Sequence, residues 1–370
     1  MEKVKVLYII GGIMSRGGIE SYTMNYYRNI DKSKIQMDFV VHGDGKGVYD
    51  DEILSNGGHI YHVPIKSKDY FGNIRALKKI FLSGGYKIVH AEMDAMNYVV
   101  LKLAKKCGIP VRISHSHNTQ HLTQNKIKYF INEYARKKVH KYATHLFACS
   151  ELAGKWLYGE ENYNAGNVKV INNAIELERF KFDEEKRINT RKELGIGEEF
   201  VIGHVGRLHF EKNHMFLIQI FKEILKREEK AKLVLIGAGP LEKQIKEKIK
   251  EEKLEDKIIM LKNRDDINKL MSCFDIFVLP SLFEGLPIVA IEAQANGLPC
   301  IFADTITKQV KLTDNVEFLK LEEVETWVDS IIKMFKYPRK DNIELLVRKG
   351  YSIKKEAEKL QDLYIKINKC

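Results

Sequence analysis

The amino-acid sequence predicts an α/β fold built as two doubly wound units in tandem, and three observations carry that reading. Short β-rich runs alternate with helix-like stretches from end to end, the signature of parallel sheets made from βαβ units. The series breaks at a polar stretch between Glu176 and Thr190 and restarts near Phe200. Finally, 370 residues exceed one typical core and suit two domains of roughly 150 to 200 residues each, with a cleft between them.

In the first series the strands read as Val4–Ile10, Met37–Val41, His59–Val63, Lys87–His90, Val111–Ser114, His145–Ala148 and Val168–Ile171. The polar stretch, with Asp183-Glu184-Glu185-Lys186-Arg187, is the natural linker; it gives a first domain over 1–175 and a second over 191–350. The second series reads as Phe200–Val205, Lys232–Ile236, Lys257–Leu261, Ile276–Leu279 and Pro299–Phe302. Charged helices lie between these strands, notably Leu241 to Lys253, where Lys and Glu are interspersed at helical spacing. From Ser352 to Lys366 the apolar positions Ile353, Ala357, Leu360, Leu363 and Tyr364 mark an amphipathic terminal helix. Periodicity does not say which domain it packs on.

Composition bounds the function. With 44% hydrophobic and 30% charged residues the chain has ordinary globular content, enough to bury sizeable cores. Cys107, Cys149, Cys273, Cys300 and Cys370 are scattered without C-x-x-C spacing, which argues against a disulfide framework or a zinc site and for a reducing cytosol. No signal peptide is recognisable, and no apolar stretch approaches the ~20 residues needed to span a bilayer, so a soluble cytoplasmic protein is expected. The net charge of +11 is uneven: residues 1–175 hold 25 Lys+Arg against 15 Asp+Glu, whereas the rest of the chain is almost balanced. Cations cluster from Lys126 to Lys141, interleaved with aromatic and aliphatic residues on an expected helix. Such a helix suits an anionic membrane surface or a phosphate-bearing acceptor, with a solvated basic face as the plain alternative.

Three loops hold residues suited to chemistry. After the first strand come Gly11-Gly12 and then Gly17-Gly18-Ile19-Glu20, where backbone amides at a helix start can approach phosphate or sugar hydroxyls. The spacing is not G-x-G-x-x-G, which gives a dinucleotide site poor support. The second series opens with His204-Val205-Gly206-Arg207-Leu208 and Glu211-Lys212-Asn213, placing Arg207 and Lys212 at the carboxyl edge of a sheet, where two cations can neutralise a diphosphate without metal. The third loop runs from Pro280 through Glu284-Gly285-Leu286-Pro287 to Glu292 and Ala293. Pro287 suits the first turn of a helix, Gly285 and Leu286 then offer amides to an anion, and the two carboxylates fit sugar hydroxyls.

That third stretch, followed by Gly297-Leu298-Pro299, resembles the retaining glycosyltransferases of family 4. The likeness extends along nearly the whole chain through Gly17–Glu20, Ile171-Asn172-Asn173-Ala174-Ile175, Gly206–Leu208, Glu211–Asn213 and Leu235-Ile236-Gly237-Ala238-Gly239-Pro240. Arg112-Ile113-Ser114-His115-Ser116-His117-Asn118 and Asn315–Leu319 point to the bacterial capsular and exopolysaccharide enzymes within it. The resemblance implies the GT-B architecture of two Rossmann-like domains facing a cleft, with the terminal helix 352–370 crossing back to the first, acceptor domain. It implies that Arg207 and Lys212 hold the donor diphosphate, Glu284 the donor sugar and Glu292 the ribose. Gly206, Gly237, Gly285 and Leu286 join the donor-binding set, and Gly17 and Gly18 line the cleft from the first domain. His117, which ends a strand and precedes Asn118, is favoured as the family's cleft histidine, with His115 as the alternative.

The implied reaction is metal-independent, cofactor-free transfer of a hexosyl group with retention. The donor is a nucleotide-diphosphate sugar, a UDP-sugar by preference. The acceptor hydroxyl belongs to a lipid-linked saccharide, which places the enzyme peripherally at the inner face of the membrane. Two rivals stand beside it: a non-transferring GT-B enzyme such as a UDP-sugar 2-epimerase, and a polyanion- or sugar-binding protein without catalysis. No nucleic-acid module accompanies the basic half, so nucleic acid is not an expected partner. The sequence departs from the family in Asn173-Ala174, where many relatives have Asn-Gly, and in Lys262-Asn263-Arg264, where a glycine is usual.

Overall fold

The structure, a computed structural model, describes residues 3–335 and 337–369, so Cys370 lies outside the described residues. The chain divides into two units, Met1–Ala174 with Ile353–Cys370, and Ile175–Ser352. Each is built on one parallel sheet.

In the first unit the strands are β1 (Val4–Ile10), β2 (Ile35–His42), β3 (Ile60–Val63), β4 (Ile88–Glu92), β5 (Val111–Ser116), β6 (His145–Ala148) and β7 (Val168–Val170), in the order β3-β2-β1-β4-β5-β6-β7. In the second they are β8 (Val201–Val205), β9 (Lys232–Ile236), β10 (Ile258–Leu261), β11 (Ile276–Leu279), β12 (Cys300–Ala303) and β13 (Val316–Leu319), in the order β10-β9-β8-β11-β12-β13. All pairings are parallel. Parallel strands carry helices on both faces, which is why the central ones are apolar without alternation: Val6, Leu7, Tyr8 and Ile9 are all inaccessible, as are Phe277, Val278 and Leu279. In both sheets the strand order reverses, between β1 and β4 and between β8 and β11, and the crevice outside the carboxyl ends of such a reversal is where open α/β sheets bind ligands. The expected α/β class and its two Rossmann-like sheets are present.

Three details differ from the sequence reading. The segment 176–190, read as a linker, is helical instead: helices Leu177–Phe180 and Glu184–Glu193 belong to the second unit. Arg187 and Arg191 hold it there, donating to Asp275 and to the carbonyls of residues 272–274, so the acidic and basic residues that made it look like a tether are anchors. Strand β13 escaped notice because Val316-Glu317-Phe318-Leu319 is a short edge run interrupted by a charge. Strand β4 runs on past His90 to Glu92, a charge that ends the apolar pattern but not the strand.

The terminal helix Ile353–Ile367 packs within the first unit, against the helix Gly18–Asn29. Ile353, Ala357, Leu360, Tyr364 and Ile367 form its buried face. Tyr364 carries the polar part of the contact. Its hydroxyl bonds the Tyr8 hydroxyl from the middle of β1 and lies 2.7 Å from His90 Nδ1, and burial pushes the pKa of both phenols up so that they stay protonated. Nearby, Asn25 and Tyr26 donate to the carbonyls of Ala174 and Asn172, and the Gln361 amide oxygen accepts from the Asp31 N–H at 3.0 Å.

Tyr364→Ala should therefore destabilise the protein by about 3–5 kcal/mol through the lost ring volume. Tyr364→Phe should cost only about 1–3 kcal/mol, for the unpaired Tyr8 and His90 groups. Urea unfolding followed by near-UV circular dichroism checks the ranking, and equal values for the two variants would show that the hydroxyl network, not packing, holds the helix.

Candidate active site

In the second unit the reversal between β8 and β11 brings two loops side by side. Strand β8 ends at Val205, and Gly206 donates its N–H to Ile236 at the end of β9. Leu208 donates to Ala238 and Leu241 to Leu208, each at 3.0 Å, so the loop after β9 clasps the loop after β8. Gly237 is what allows the approach: it sits at φ +150°, and a Cβ there would collide with the Gly206 carbonyl. Arg207 emerges from the clasp exposed to solvent, without an ion pair among the described residues. The short turn Phe210–Lys212 follows, and Asn213, in the left-handed conformation with φ 55°, starts the helix His214–Leu225.

From the other side, the loop after β11 supplies Glu284. Its carboxylate receives the Lys212 ammonium and a 2.8 Å bond from the Ser281 hydroxyl, while the Leu282 N–H donates to Glu211 at 2.8 Å. Lys212 and Glu284 keep side-chain exposures of 13% and 14%, which leaves both open to a ligand while the pairing fixes their direction. Gly285 and Leu286 precede the helix Ile288–Ala295, and Pro287 is its N-cap rather than its first helical residue, one place earlier than the sequence suggested. The positive helix end lies beside the two carboxylates. Glu292, five residues into that helix, is partly exposed, yet surrounding protein pushes its carboxyl up to about 7 against the opposing charge of Arg179. Its carboxyl has no hydrogen-bond partner among the described residues.

In the first unit the reversal lies between β1 and β4. Gly17 caps the helix Gly18–Asn29 with extended backbone, and the Glu20 carboxylate folds back onto it, so a Cβ at Gly17 would strike that side chain, while one at Gly18 would meet nothing within 4 Å. With a carboxylate already at the helix start, this loop suits sugar hydroxyls better than phosphate. His115 and His117 stand at the end of β5 and just beyond it, both buried. His117 Nε2 donates to Glu92 Oε2, and its backbone N–H donates to Asp94 at 2.7 Å. His115 shares a 3.1 Å hydrogen bond with His90, which continues to Tyr364. Burial alone would lower the His117 affinity for a proton, but the Glu92 charge and hydrogen bonds to Cys149 and Glu92 more than offset it and hold His117 as imidazolium. For His90 and His115 burial outweighs the same Glu92 charge and lowers the pKa of both, His90 to about 3. Glu92, which burial alone would raise, is held well below the usual carboxylate range by the charge and hydrogen bonding of the histidines packed around it.

Glu92 and Asp94 were not picked out by sequence reasoning. The signal was there: His90-Ala91-Glu92 and His115-Ser116-His117 each place two polar side chains on one face of a strand, and β4 pairs with β5. His90, Glu92 and His115 are also the group among the described residues with ligand atoms close enough to hold a metal ion, within 4.8 Å of one another. His90 bonds both His115 and Tyr364, while Glu92 Oε1 and His115 Nε2 take no hydrogen bond among the described residues. The structure thus gathers Gly206, Arg207, Lys212, Gly237, Glu284, Gly285, Leu286 and Glu292 on loops and a helix of the second unit. Gly17, Gly18, His115 and His117 lie on the first.

Among family models, "Glycosyltransferase Family 4" matches residues 16–179 and "Glycosyl transferases group 1" matches residues 186–351. A protein called glycosyltransferase EpsF from Bacillus subtilis (strain 168) is 36% identical over 97% of this chain and 96% of its own. The UDP-Gal:alpha-D-GlcNAc-diphosphoundecaprenol alpha-1,3-galactosyltransferase of Escherichia coli is 26% identical over 78% of each chain. Among solved structures, Anabaena Alr3699/HepE in complex with UDP superposes with a TM-score of 0.75 at 16% identity, covering 98% of this chain and 99% of that one. Matched in both halves by these family models, and along nearly its full length by the Bacillus subtilis relative, the chain belongs to the family 4 glycosyltransferases of GT-B fold.

Proposed function

We propose that this glycosyltransferase moves a sugar, with retention, from a UDP-sugar to a hydroxyl of a lipid-linked saccharide during assembly of a cell-surface polysaccharide, without a metal ion. The observation that carries the reading is the Arg207, Lys212 and Glu284 set beside the start of the helix Ile288–Ala295, at the order reversal of the second sheet. The name of the Escherichia coli relative, with a UDP-sugar donor and a diphosphoundecaprenol acceptor, supports the choice of substrates, as does UDP bound to HepE.

In this reading the bond between the sugar anomeric carbon and the diphosphate oxygen breaks, and its electron pair leaves on the diphosphate. Negative charge grows there, where Arg207, Lys212 and the helix amides supply positive charge already in place; this is the main catalytic effect. One Lys212 N–H is engaged by Glu284, leaving two for phosphate oxygens. Glu284 meets a hydroxyl of the donor sugar, and Glu292 accepts from the ribose. The acceptor oxygen bonds the anomeric carbon on the face the leaving group vacates, and its proton passes to a phosphate oxygen. On the first unit, His117 presents an imidazolium to a substrate oxygen, oriented by Glu92.

Lys212→Ala and Arg207→Ala should each lower turnover by roughly 100-fold or more while leaving the unfolding transition in place, as for loss of one group that stabilises transition-state charge. UDP release with a lipid-linked acceptor measures it, and full activity in Lys212→Ala would sink the assignment. Incubation with UDP-sugar alone must leave the sugar unconverted, since an epimerase would change it.

Glu292 gives a test with opposite signs. Its carboxyl, raised to about 7, costs stability only where it is ionised, so the penalty is absent at acid pH and grows as pH rises from the unfolded value through 7. Glu292→Gln should therefore raise the ligand-free melting temperature at pH 8, leave it unchanged near pH 4, and weaken UDP binding by roughly 10-fold or more through loss of a charged hydrogen bond. A variant more stable at pH 8 that still binds UDP like the parent would remove Glu292 from the ribose site.

A further inference from the structure

The loop after β4 is tied to the end of β5 by two side chains at different depths. Asn97, the first residue of the helix Asn97–Lys106, is fully buried. Its oxygen accepts from the Met93 N–H at 2.7 Å, and its amide nitrogen donates to the Ser114 hydroxyl at 3.0 Å and the His115 carbonyl at 3.1 Å. That staple already joins the loop to the strand. Asp94 adds a second one at a partly exposed position, and it does so from a left-handed φ of 48°, which a residue with a Cβ keeps only where its surroundings enforce it. Asp94 Oδ1 accepts the N–H of His117 at 2.7 Å and that of Asn118 at 3.3 Å, while Oδ2 accepts from the Asn118 amide nitrogen at 2.6 Å. Both of its oxygens are spent on two successive residues, His117 and Asn118.

The outer staple fixes a side chain as well as a backbone. A carboxylate only accepts hydrogen bonds, so the Asn118 carboxamide turns its nitrogen toward Asp94, and the planar amide then carries Oδ1 on the side away from it. Asn118 is partly exposed, and its Oδ1 meets no donor among the described residues. It follows β5 directly after His117, whose ring is held by Glu92. A staple needed for folding alone would be complete without the Asn118 side chain, because the two backbone N–H groups already hold Asp94 to the strand end. What the third bond adds is an amide oxygen of fixed orientation. An acceptor ordered in advance gives up little rotamer freedom when a hydroxyl binds, so a single neutral hydrogen bond is realised nearly in full.

We propose that Asn118 binds a hydroxyl of the acceptor saccharide through Oδ1, and that Asp94 is the positioning residue that sets its orientation. The assignment rests on the transfer reaction proposed above and names a further contact for it. The ligand is a hydroxyl and not an anion, because the group presented is a neutral oxygen next to the Asp94 carboxylate. A hydroxyl of the donor sugar has the same chemistry, and kinetics in the two substrates separate the two sources.

The test is steady-state transfer, read as UDP release, with UDP-sugar and a set of soluble farnesyl-diphospho-monosaccharides varied independently. Asn118→Ala leaves the Asp94 bonds to the backbone in place and should raise the acceptor KM about tenfold through loss of one hydrogen bond, with the donor KM and the UDP-induced melting shift as in wild type. Asp94→Asn turns one amide nitrogen toward another and should raise the acceptor KM by a similar factor. The double exchange Asp94→Asn with Asn118→Asp again sets a donor against an acceptor and leaves an oxygen at position 118 turned outward, so the acceptor KM should return to within about threefold of wild type. Asn118→Ala alone decides the assignment where Asp94→Asn does not fold. An unchanged acceptor KM in Asn118→Ala, a rise in the donor KM in its place, or a double exchange no better than Asp94→Asn overturns the proposal. A wild type that transfers to none of the probes overturns the transfer reading as well, whereas an active wild type whose Asn118→Ala variant keeps its acceptor KM overturns this assignment alone.

Discussion

Neighbouring strands of a parallel sheet can be joined only by crossovers that leave the carboxyl edge, pass over one face and return. Where the strand order reverses, consecutive crossovers must leave in opposite directions, and the edge between them stays open. That constraint acts twice in this protein, between β1 and β4 and between β8 and β11, and the candidate site residues lie on the loops and element ends around these two places. The rest of each unit serves to make the central strands dry and rigid enough to hold those loops. Tyr8, inaccessible in the middle of β1, stacks on His90 with ring centroids 4.6 Å apart and bonds the terminal helix, so one residue joins sheet, helix and histidine network.

The two edges handle charge differently. In the second unit Lys212 and Glu284 remain near the surface, and Arg207 projects freely, so the edge is electropositive and available to an incoming anion. The consequence of their pairing is orientation: a lysine held by a carboxylate does not need to be ordered when phosphate arrives. In the first unit Glu92 is fully buried and its charge is balanced by His117, with His90 and His115 closing around it. Such a pair is costly to separate and fixes the His117 ring. It also explains why β4 can end on a carboxylate inside the protein.

The fold was legible because a dry parallel sheet writes its strands as unbroken apolar runs, and Leu233-Val234-Leu235-Ile236 or Ile276–Leu279 admit little else. Loop glycines and the charges at strand ends then located the second unit's edge. What escaped were features decided by tertiary partners. Residues 176–190 looked like a tether because local pairs such as Lys186 with Asp183 do not show where the segment is fixed; Arg187 and Arg191 find Asp275, which is more than 80 positions away. Glu92 looked like the end of a strand because its neutralising imidazoles come from β5 and beyond. The basic run Lys126–Lys141 was visible as charge, but whether its interleaved Ile and Phe pointed inward could not be read from period alone, since a stripe facing core and a stripe facing outward have the same spacing.

Violations of local rules give an independent marker of where function lies, because strain persists only where surrounding structure enforces it. Among the described residues, three non-glycine positions have positive φ: Asp94, Asn213 and Lys253. Lys253 follows the end of the helix Glu242–Glu251, where a left-handed residue is an ordinary stop. Asn213 also follows a helical turn, Phe210–Lys212, but it opens the next helix at once, and Asp94 follows a strand. Asp94, at φ 48°, lies just after β4 and receives the N–H of His117 and the Asn118 amide. Asn213, at φ 55°, lies in the loop after β8 immediately beyond Lys212. Gly237, at φ +150°, supports the same loop from β9, and Glu292, with its raised carboxyl, stands behind it on the helix after β11. These four departures have different chemical origins, two strained turns, one forced close approach and one desolvated acid. Their placement along the two reversal edges follows if those edges were selected for binding geometry at the expense of local stability, which is the pattern expected of a site and not of a scaffold.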